Sequence, residues 1–465
     1  MSESKALRSG IGYTLGNILI KGINFLTLPI FSRLLSPEAF GVYNVFASYD
    51  LILFVVLGLA LHTSIQSANL EFRGKINGYT SSISLVYILN GLVALGIAVL
   101  FRKQLGALLG LPPAAVSLLV LSSFSGAVIT LYNTRISLDY SYKKYLLVSA
   151  CSSFLNIALS LVLMLTVFSQ DRLMGRILGA SLPSFLISVV LLFTFFCKER
   201  PRISKTYWKF GVKYSLPIVP HGISQMLLNQ CDRIMIRSMV SDAAAGIYSL
   251  AGNIKLVLVI ITDSVTTAWN TWFFSQMDKG ETKAIQKRAT QLLLLFFVLT
   301  GGLMALSPEL ITLLGGEKYD LGKYAAVPLV LDAFALFLYN LVVPAQYYAK
   351  KTTYIMYGTV AAAVVNIVLN YIFIKLCGFV AAAYTTLAAY LLFAAVHYII
   401  SGRLLKFFVV PIGKLLAVCA AVGLLAAWNL LFVDSILLRW GVCAVAVIPV
   451  SLYLLGQMHK EKASL

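Results

Sequence analysis

Apolar residues run through this chain in blocks of about twenty, the length an α-helix needs to cross roughly 30 Å of hydrocarbon, and short polar breaks separate them. Fourteen blocks are predicted, over 11–31, 39–65, 77–101, 114–136, 145–168, 174–196, 210–231, 244–274, 288–308, 324–348, 353–375, 378–401, 411–432 and 436–457. Polar positions inside them keep helical spacing. In the first block Thr14, Asn17, Lys21 and Asn24 recur at steps of three and four, which places them on one face. In the seventh, Pro217 and Pro220 precede His221, Gln225, Asn229 and Asp232; the prolines remove helical hydrogen bonds and predict a bend or hinge. The pattern predicts an all-α, polytopic membrane protein.

The blocks repeat as well. Residues 26–43, LTLPIFSRLLSPEAFGVY, come back as 236–248, IRSMVSDAAAGIY, so that Ser36 corresponds to Ser241, Gly41 to Gly246, Tyr43 to Tyr248 and Asp50 to Lys255. A second echo pairs Asn156-Ile-Ala-Leu-Ser160 with Asn366-Ile-Val-Leu-Asn370 at a similar offset. The two copies start six spans apart and so cross in the same direction, which makes the repeat parallel, about an axis along the membrane normal. The expected organisation is a first six-helix lobe over 1–197, a basic cytoplasmic linker over 198–209, a second six-helix lobe over 210–402 related to the first by a pseudo-two-fold, and a C-terminal helix pair over 403–465.

Composition agrees with this pattern. Of the 465 residues, 59% are hydrophobic and only 12% charged, with mean hydropathy +0.87; soluble domains carry about 25% charged residues. No cleavage site follows a short apolar core at the start, so the first helix is expected to stay in the membrane. The net charge of +19 suggests nucleic acid at first sight, but most of the Lys and Arg collect in alternate loops, among them Arg73 and Lys75, Lys143 and Lys144, Lys198 to Lys213, and Lys279 to Arg288. That is the positive-inside bias; it places both termini in the cytoplasm and assigns the basicity to topology and anionic lipid, with no nucleic acid partner. The six cysteines show no CxxC or ligand spacing, so neither a metal nor a cofactor is expected. No phosphate-binding loop, zinc-protease helix or serine elbow occurs in a usable context, and no gap between spans holds a catalytic domain; the chain is read as no enzyme.

The LPIFSRLLSPEAFGVY segment, the NIVLN segment with the following GFVAAAYTT, and the two-lobe pattern resemble the polysaccharide flippases of the multidrug/oligosaccharidyl-lipid/polysaccharide exporter superfamily, above all the Wzx-type repeat-unit flippases. The likeness covers nearly the whole chain. It implies a bacterial inner-membrane transporter that moves polyprenyl-diphosphate-linked oligosaccharide from the cytoplasmic to the outer leaflet for capsule, O-antigen (lipopolysaccharide) or exopolysaccharide. A monomer in contact with membrane lipids and with polysaccharide polymerase machinery is the matching expectation.

Candidate chemistry follows from the intramembrane polar residues. A cation at the bilayer centre costs roughly 2.5–3.5 kcal/mol, so Lys21 should face either a diphosphate or the carboxylate of Asp50. Asp50 and Lys255, at equivalent places in the repeat, would put an acid and a base on opposite walls of a cavity; for Lys255 the rival is snorkelling to the surface. Asn17, Asn24, Gln225 and Asn229 are read as sugar-binding amides, or as ties between helices. Arg135, with Asp139, is either a cytoplasmic anchor or a first contact for diphosphate. Asp50, Asp263, Asp332 and His221 are candidates for ion or proton coupling, with helix bonding or packing as the alternative. Trp269, Trp272 and Phe273 are expected in an interfacial aromatic belt. Two other functions stay open: a cation-coupled drug exporter, disfavoured by a first block without Asp or Glu, and a membrane glycosyltransferase or polymerase, disfavoured by short outer loops.

Overall fold

Backbone groups in hydrocarbon are satisfied only inside helices or closed barrels, and this chain uses helices. A computed structural model describes residues 19–463 together with Gly12 and Gly16; no strand occurs among them. They divide by packing into two units, which meet between Ser238 and Met239. The first carries α1 (Leu28–Leu34), α2 (Pro37–Gly58), α3 (Ile65–Glu71), α4 (Ile76–Leu100), α5 (Arg102–Leu109), α6 (Pro113–Ser137), α7 (Tyr142–Leu165), α8 (Arg172–Lys198), α9 (Lys205–Ser215) and α10 (Val219–Met239). The second carries α11 (Asp242–Asp278), α12 (Thr282–Gly315), α13 (Gly322–Val342), α14 (Pro344–Tyr348), α15 (Thr353–Cys377), α16 (Ala381–Leu405), α17 (Ile412–Leu431) and α18 (Ile436–Ala463).

Twelve of the described helical segments are long and apolar enough to cross a membrane, and they match the second to sixth and eighth to fourteenth predicted blocks. The other two differ for local reasons. Much of the first block lies outside the described residues, and its end is interrupted at Thr27, where α1 starts afresh with Pro29 in its first turn. The seventh is split: α9 ends at Ser215, a 3-10 turn takes up Leu216–Ile218 around Pro217, and α10 follows. A proline within a helical run removes a donor and crowds the preceding turn. The structure interrupts the α-helix where the prolines predict a bend or hinge. Gln225, Asn229, Gln230, Asp232, Arg233 and Arg237 then dilute the hydropathy of α10.

The sequence repeat has a structural counterpart at the starts of α2 and α11. Ser36 and Ser241 both take extended N-cap geometry, and their hydroxyls accept from Ala39 N at 3.3 Å and Ala244 N at 3.1 Å. Each bond satisfies one of the amides orphaned at a helix start, and Glu38 and Asp242 add a carboxylate near the positive helix end. Within the first unit α6 is central and packs against α2, α4 and α8. The amphipathic α9 is pinned to α4: Trp208 Nε1 donates to Ser82 O at 3.0 Å, and Phe72, Tyr79, Tyr207 and Phe210 form an aromatic cluster. In the second unit α13 is central, against α11, α12, α16 and α17, while α18 lies on α12.

The repeat boundary and the packing boundary are one helix apart. By repeat, the second lobe starts near residue 210; by packing, α10 belongs to the first unit. Ser48 Oγ of α2 donates to Gln230 Oε1 at 3.1 Å, and the Arg237 guanidinium donates to the carbonyls of Leu109 and Gly110 at the end of α5. Outward faces are apolar: the membrane window of α7 is only 6% buried, with Leu147, Phe154 and Val162 exposed on it. Lipid is the solvent such a face requires.

The second sequence echo is a helix-pair contact. Asn156 Nδ2 donates to Ser184 Oγ at 3.2 Å between α7 and α8, and Asn366 Nδ2 to Thr386 Oγ1 at 2.9 Å between α15 and α16. Gly179 lets the first pair touch by backbone, since a Cβ there would lie 2.3 Å from Ser160 Cα. Gly179→Leu is therefore expected to force α7 off α8 at a cost of about 1–3 kcal/mol or more. Thermal unfolding of the purified variant reads this directly, and an unchanged midpoint would refute the close contact.

Candidate functional site

Polar groups buried in apolar helices need partners, and the partners show how each expected site residue is used. Asp50, in the middle of α2, accepts from Ser122 Oγ at 2.9 Å and from Ser123 Oγ at 2.6 Å, both on α6. Ser123 Oγ also lies 2.8 Å from the Leu119 carbonyl, so its one proton is shared between the carboxylate and the acceptor that a serine in a helix commonly uses. Two residues before Asp50, Ser48 reaches Gln230, whose Oε1 also accepts from Arg233 Nη1 at 2.6 Å. A polar chain thus links α2, α6 and α10 inside the first unit. Neither serine was singled out from sequence; the adjacent pair Ser122-Ser123 midway along the fourth block was the available signal.

Lys21 lies in a helical turn and is exposed, as is Asn24, whose carbonyl accepts from Thr27 Oγ1 at 2.8 Å. Asn17 falls outside the described residues. On α10 Asn229 Nδ2 donates back to the Gln225 carbonyl at 2.8 Å, so this pair is joined along one helix. His221 sits nearby with a buried Nδ1 that has no hydrogen-bond partner among the described residues. Arg135 is buried at the end of α6 and donates to Asp139 Oδ2 at 3.0 Å and Asn77 Oδ1 at 2.8 Å. Those contacts make it a tie between α6 and α4.

In the second unit Lys255 and Asp332 form one ion pair. Lys255 Nζ of α11 lies 2.8 Å from Asp332 Oδ2 and 3.1 Å from Oδ1 on α13. Asp332 is 3% exposed and the lysine side chain 19%, so the ammonium is turned inward and does not snorkel. Two residues considered separately in sequence are one bidentate contact. Asp263, by contrast, is exposed on α11, and its carbonyl accepts from Thr267 Oγ1 at 3.0 Å. The expected aromatic belt is corrected in part: Trp269 and Phe273 are buried, and Trp269 Nε1 donates to Leu341 O at 3.0 Å. The indole serves to tie α11 to the end of α13, which is a packing role.

Three further clusters escaped the sequence reading. Arg439 of α18 is buried and makes a bidentate pair with Glu309 of α12, Nη1 to Oε2 at 3.1 Å and Nη2 to Oε1, with a further bond to Ala305 O. Gln346 of α14 donates through Nε2 to His397 Nδ1 at 2.8 Å and to Ser401 Oγ at 3.2 Å, and Ser401 Oγ donates to Val342 O at 3.0 Å. In the first unit the Arg176 guanidinium lies 3.8 Å from the Phe31 ring centre and 4.5 Å from that of Tyr43, and donates to Ser160 Oγ at 2.7 Å. Such long-range pairs leave no spacing signature. No group of three or more metal-ligating side chains occurs among the described residues.

The family model described as "Polysaccharide biosynthesis protein" matches residues 6–277, more than half of the chain, and the model "MatE" matches residues 217–372. Two proteins of Haemophilus influenzae are similar in sequence: an "Uncharacterized membrane protein", 24% identical over 76% of this chain and 86% of its own length, and "Lsg locus putative protein 1", 25% identical over 59% and 67%. Among solved structures the fold is shared with "Lipid II flippase MurJ, inward closed conformation", at TM-score 0.78 and 14% identity, covering 97% of this chain and 100% of that one. An inward-facing multidrug resistance MATE family transporter superposes at TM-score 0.60 and 13% identity over 87% and 95%. The polytopic helical fold read from the hydropathy pattern is the one these structures share, and the chain belongs to the polysaccharide biosynthesis protein family of the multidrug/oligosaccharidyl-lipid/polysaccharide exporter superfamily.

Proposed function

We propose that this protein is a flippase that carries polyprenyl-diphosphate-linked oligosaccharide repeat units from the cytoplasmic to the outer leaflet of a bacterial inner membrane, for capsule, O-antigen or exopolysaccharide assembly. The observation that carries the reading is family membership over residues 6–277; a fold shared with a lipid II flippase supports it. Within the first unit Lys21 is exposed on its helix and supplies a compact point charge for the diphosphate. Asn17, Asn24, Gln225 and Asn229 bind sugar hydroxyls, and Arg135 stands at the cytoplasmic end. The Lys255–Asp332 pair is the coupling element: protonation or ion binding at Asp332 releases the lysine, with Asp50, Asp263 and His221 as further coupling candidates. The two repeats then expose the site to each side in turn.

The test is reconstitution into liposomes holding a labelled polyprenyl-diphosphate oligosaccharide, with the label scored for accessibility to an impermeant reagent. Lys21→Ala is expected to slow the appearance of label by about tenfold or more, equivalent to ~1.4 kcal/mol of barrier, while inserting normally. Full activity of that variant would end the diphosphate role. The MatE match over 217–372 favours one second reading, a cation-coupled drug exporter. Efflux of a cationic dye by expressing cells, without lipid flipping, would establish it instead.

A further inference from the structure

α11 has 37 residues and α12 has 34, so at 1.5 Å per residue they are about 55 and 51 Å long and extend well past roughly 30 Å of hydrocarbon. Their joined ends lie on the side that the positive-inside bias predicts as cytoplasmic. Between them is a cavity of about 660 Å³ with Trp269 and Trp272 on one wall and Lys287, Arg288 and Gln291 on the other. A second cavity of about 240 Å³ adjoins it and shares Lys287 and Gln291, adding Lys283, Lys414 and Tyr453. The first volume lies in the ordinary range for a ligand site.

The walls are held in place. The two indoles stack with ring centres 5.4 Å apart, and Trp269 is tied to Leu341 O. Gln286 Nε2 donates to Phe408 O at 3.0 Å, joining α12 to the segment before α17, and Arg288 Nη1 donates to Gln291 Oε1 at 3.1 Å. The charges are all of one sign. Among the described residues lining the two cavities there are four cations, Lys283, Lys287, Arg288 and Lys414, and no carboxylate. Glu281 stands at the N-cap of α12 without a capping bond from its side chain. Three of the cations lie in the first two turns of α12, where the helix dipole is also positive. A phosphate entering either cavity meets the cations and the positive helix end together. Val265, Ala268 and Leu292 supply an apolar surface beside the charges, so the site matches a phosphate group that continues into an acyl chain.

We infer that the cavity between α11 and α12, together with the one adjoining it between α12, the start of α17 and α18, binds the headgroup of an anionic phospholipid from the surrounding bilayer, distinct from the transported substrate. Basic pockets between helices on the cytoplasmic side take such headgroups. The phosphate lies against Lys287 and Arg288, Lys283 and Lys414 hold the far side of the headgroup, and the acyl chains leave along the wall of Val265 and Leu292.

The test uses the full chain in neutral detergent, titrated with brominated phosphatidylglycerol or brominated phosphatidylcholine while tryptophan emission is followed. Phosphatidylglycerol is expected to quench at markedly lower concentration than phosphatidylcholine. In Lys287→Ala/Arg288→Ala its midpoint should rise about tenfold, whereas Arg73→Ala/Lys75→Ala, which removes two exposed cations from another loop, should leave it unchanged. Equal loss in both variants, or no preference for phosphatidylglycerol in the wild type, would overturn the site. Two competitors separate the sources of phosphate: inorganic phosphate that displaces the lipid at equal concentration would overturn a lipid ligand. A polyprenyl diphosphate that binds more tightly than phosphatidylglycerol would assign the site to substrate and overturn the inference equally. Flipping activity enters none of these readouts, so failure here is distinguishable from failure of the flippase reading.

Discussion

Asp332→Ala is expected to destabilise the second unit by about 3–5 kcal/mol, because it leaves the inward-facing ammonium of Lys255 buried without its carboxylate. The cost comes from desolvation more than from the strength of the pair, so removing both charges should restore most of the stability. Lys255→Met/Asp332→Leu is therefore expected to melt within a few degrees of wild type while either single change melts far lower. The same double variant separates a structural pair from a coupling pair. A pair that only joins α11 to α13 predicts flipping preserved in the double variant. The coupling role predicts a folded protein whose flipping has fallen about tenfold or more, which is the outcome expected here. Equal melting of the single and double variants would show that the buried-charge argument is wrong.

Glu309→Ala is the second large effect, and it acts on the attachment of the C-terminal helix. The Arg439 side chain is 3% exposed and Glu309 34%, so the partners are unequal. Removing the acid strands a buried guanidinium, at about 3–5 kcal/mol, with Ala305 O as a remaining acceptor. Removing the base leaves a carboxylate with access to solvent. Arg439→Met should accordingly cost clearly less than Glu309→Ala, although it deletes the larger side chain. Comparing the thermal midpoints of the two variants decides the order, and limited proteolysis of the α17–α18 region reports whether α18 is released. The reverse order would mean that packing of the arginine stem, and not burial of its charge, holds α18 on α12.

The spans and the repeat were legible in the sequence because each depends on neighbours along the chain, and the repeat marked the two serines that the structure shows as helix caps. A twenty-residue apolar block has one solution in hydrocarbon, and a serine cap bonds an amide three residues away, as Ser36 and Ser241 both do. The 3-10 interruption around Pro217 is local chemistry too. Even Asn156 and Asn366, whose partners lie on the next helix, were marked by the repeat before their contacts were known.

The partners of charged groups that meet across different helices were decided by the tertiary structure alone. Lys255 meets Asp332 77 positions away, Asp50 meets Ser122 and Ser123 of α6, and Arg439 meets Glu309 130 positions away. The physical reason is the uniformity of the blocks. A helix that is apolar on all sides gives no preferred inward face, so the sequence determines that it crosses the membrane and leaves its rotation, and thus the pairing of its few polar groups, to side-chain packing. The same packing buried Trp269 and Phe273, which hydropathy placed at an interface, and set the ends of α11 and α12 around one basic cavity.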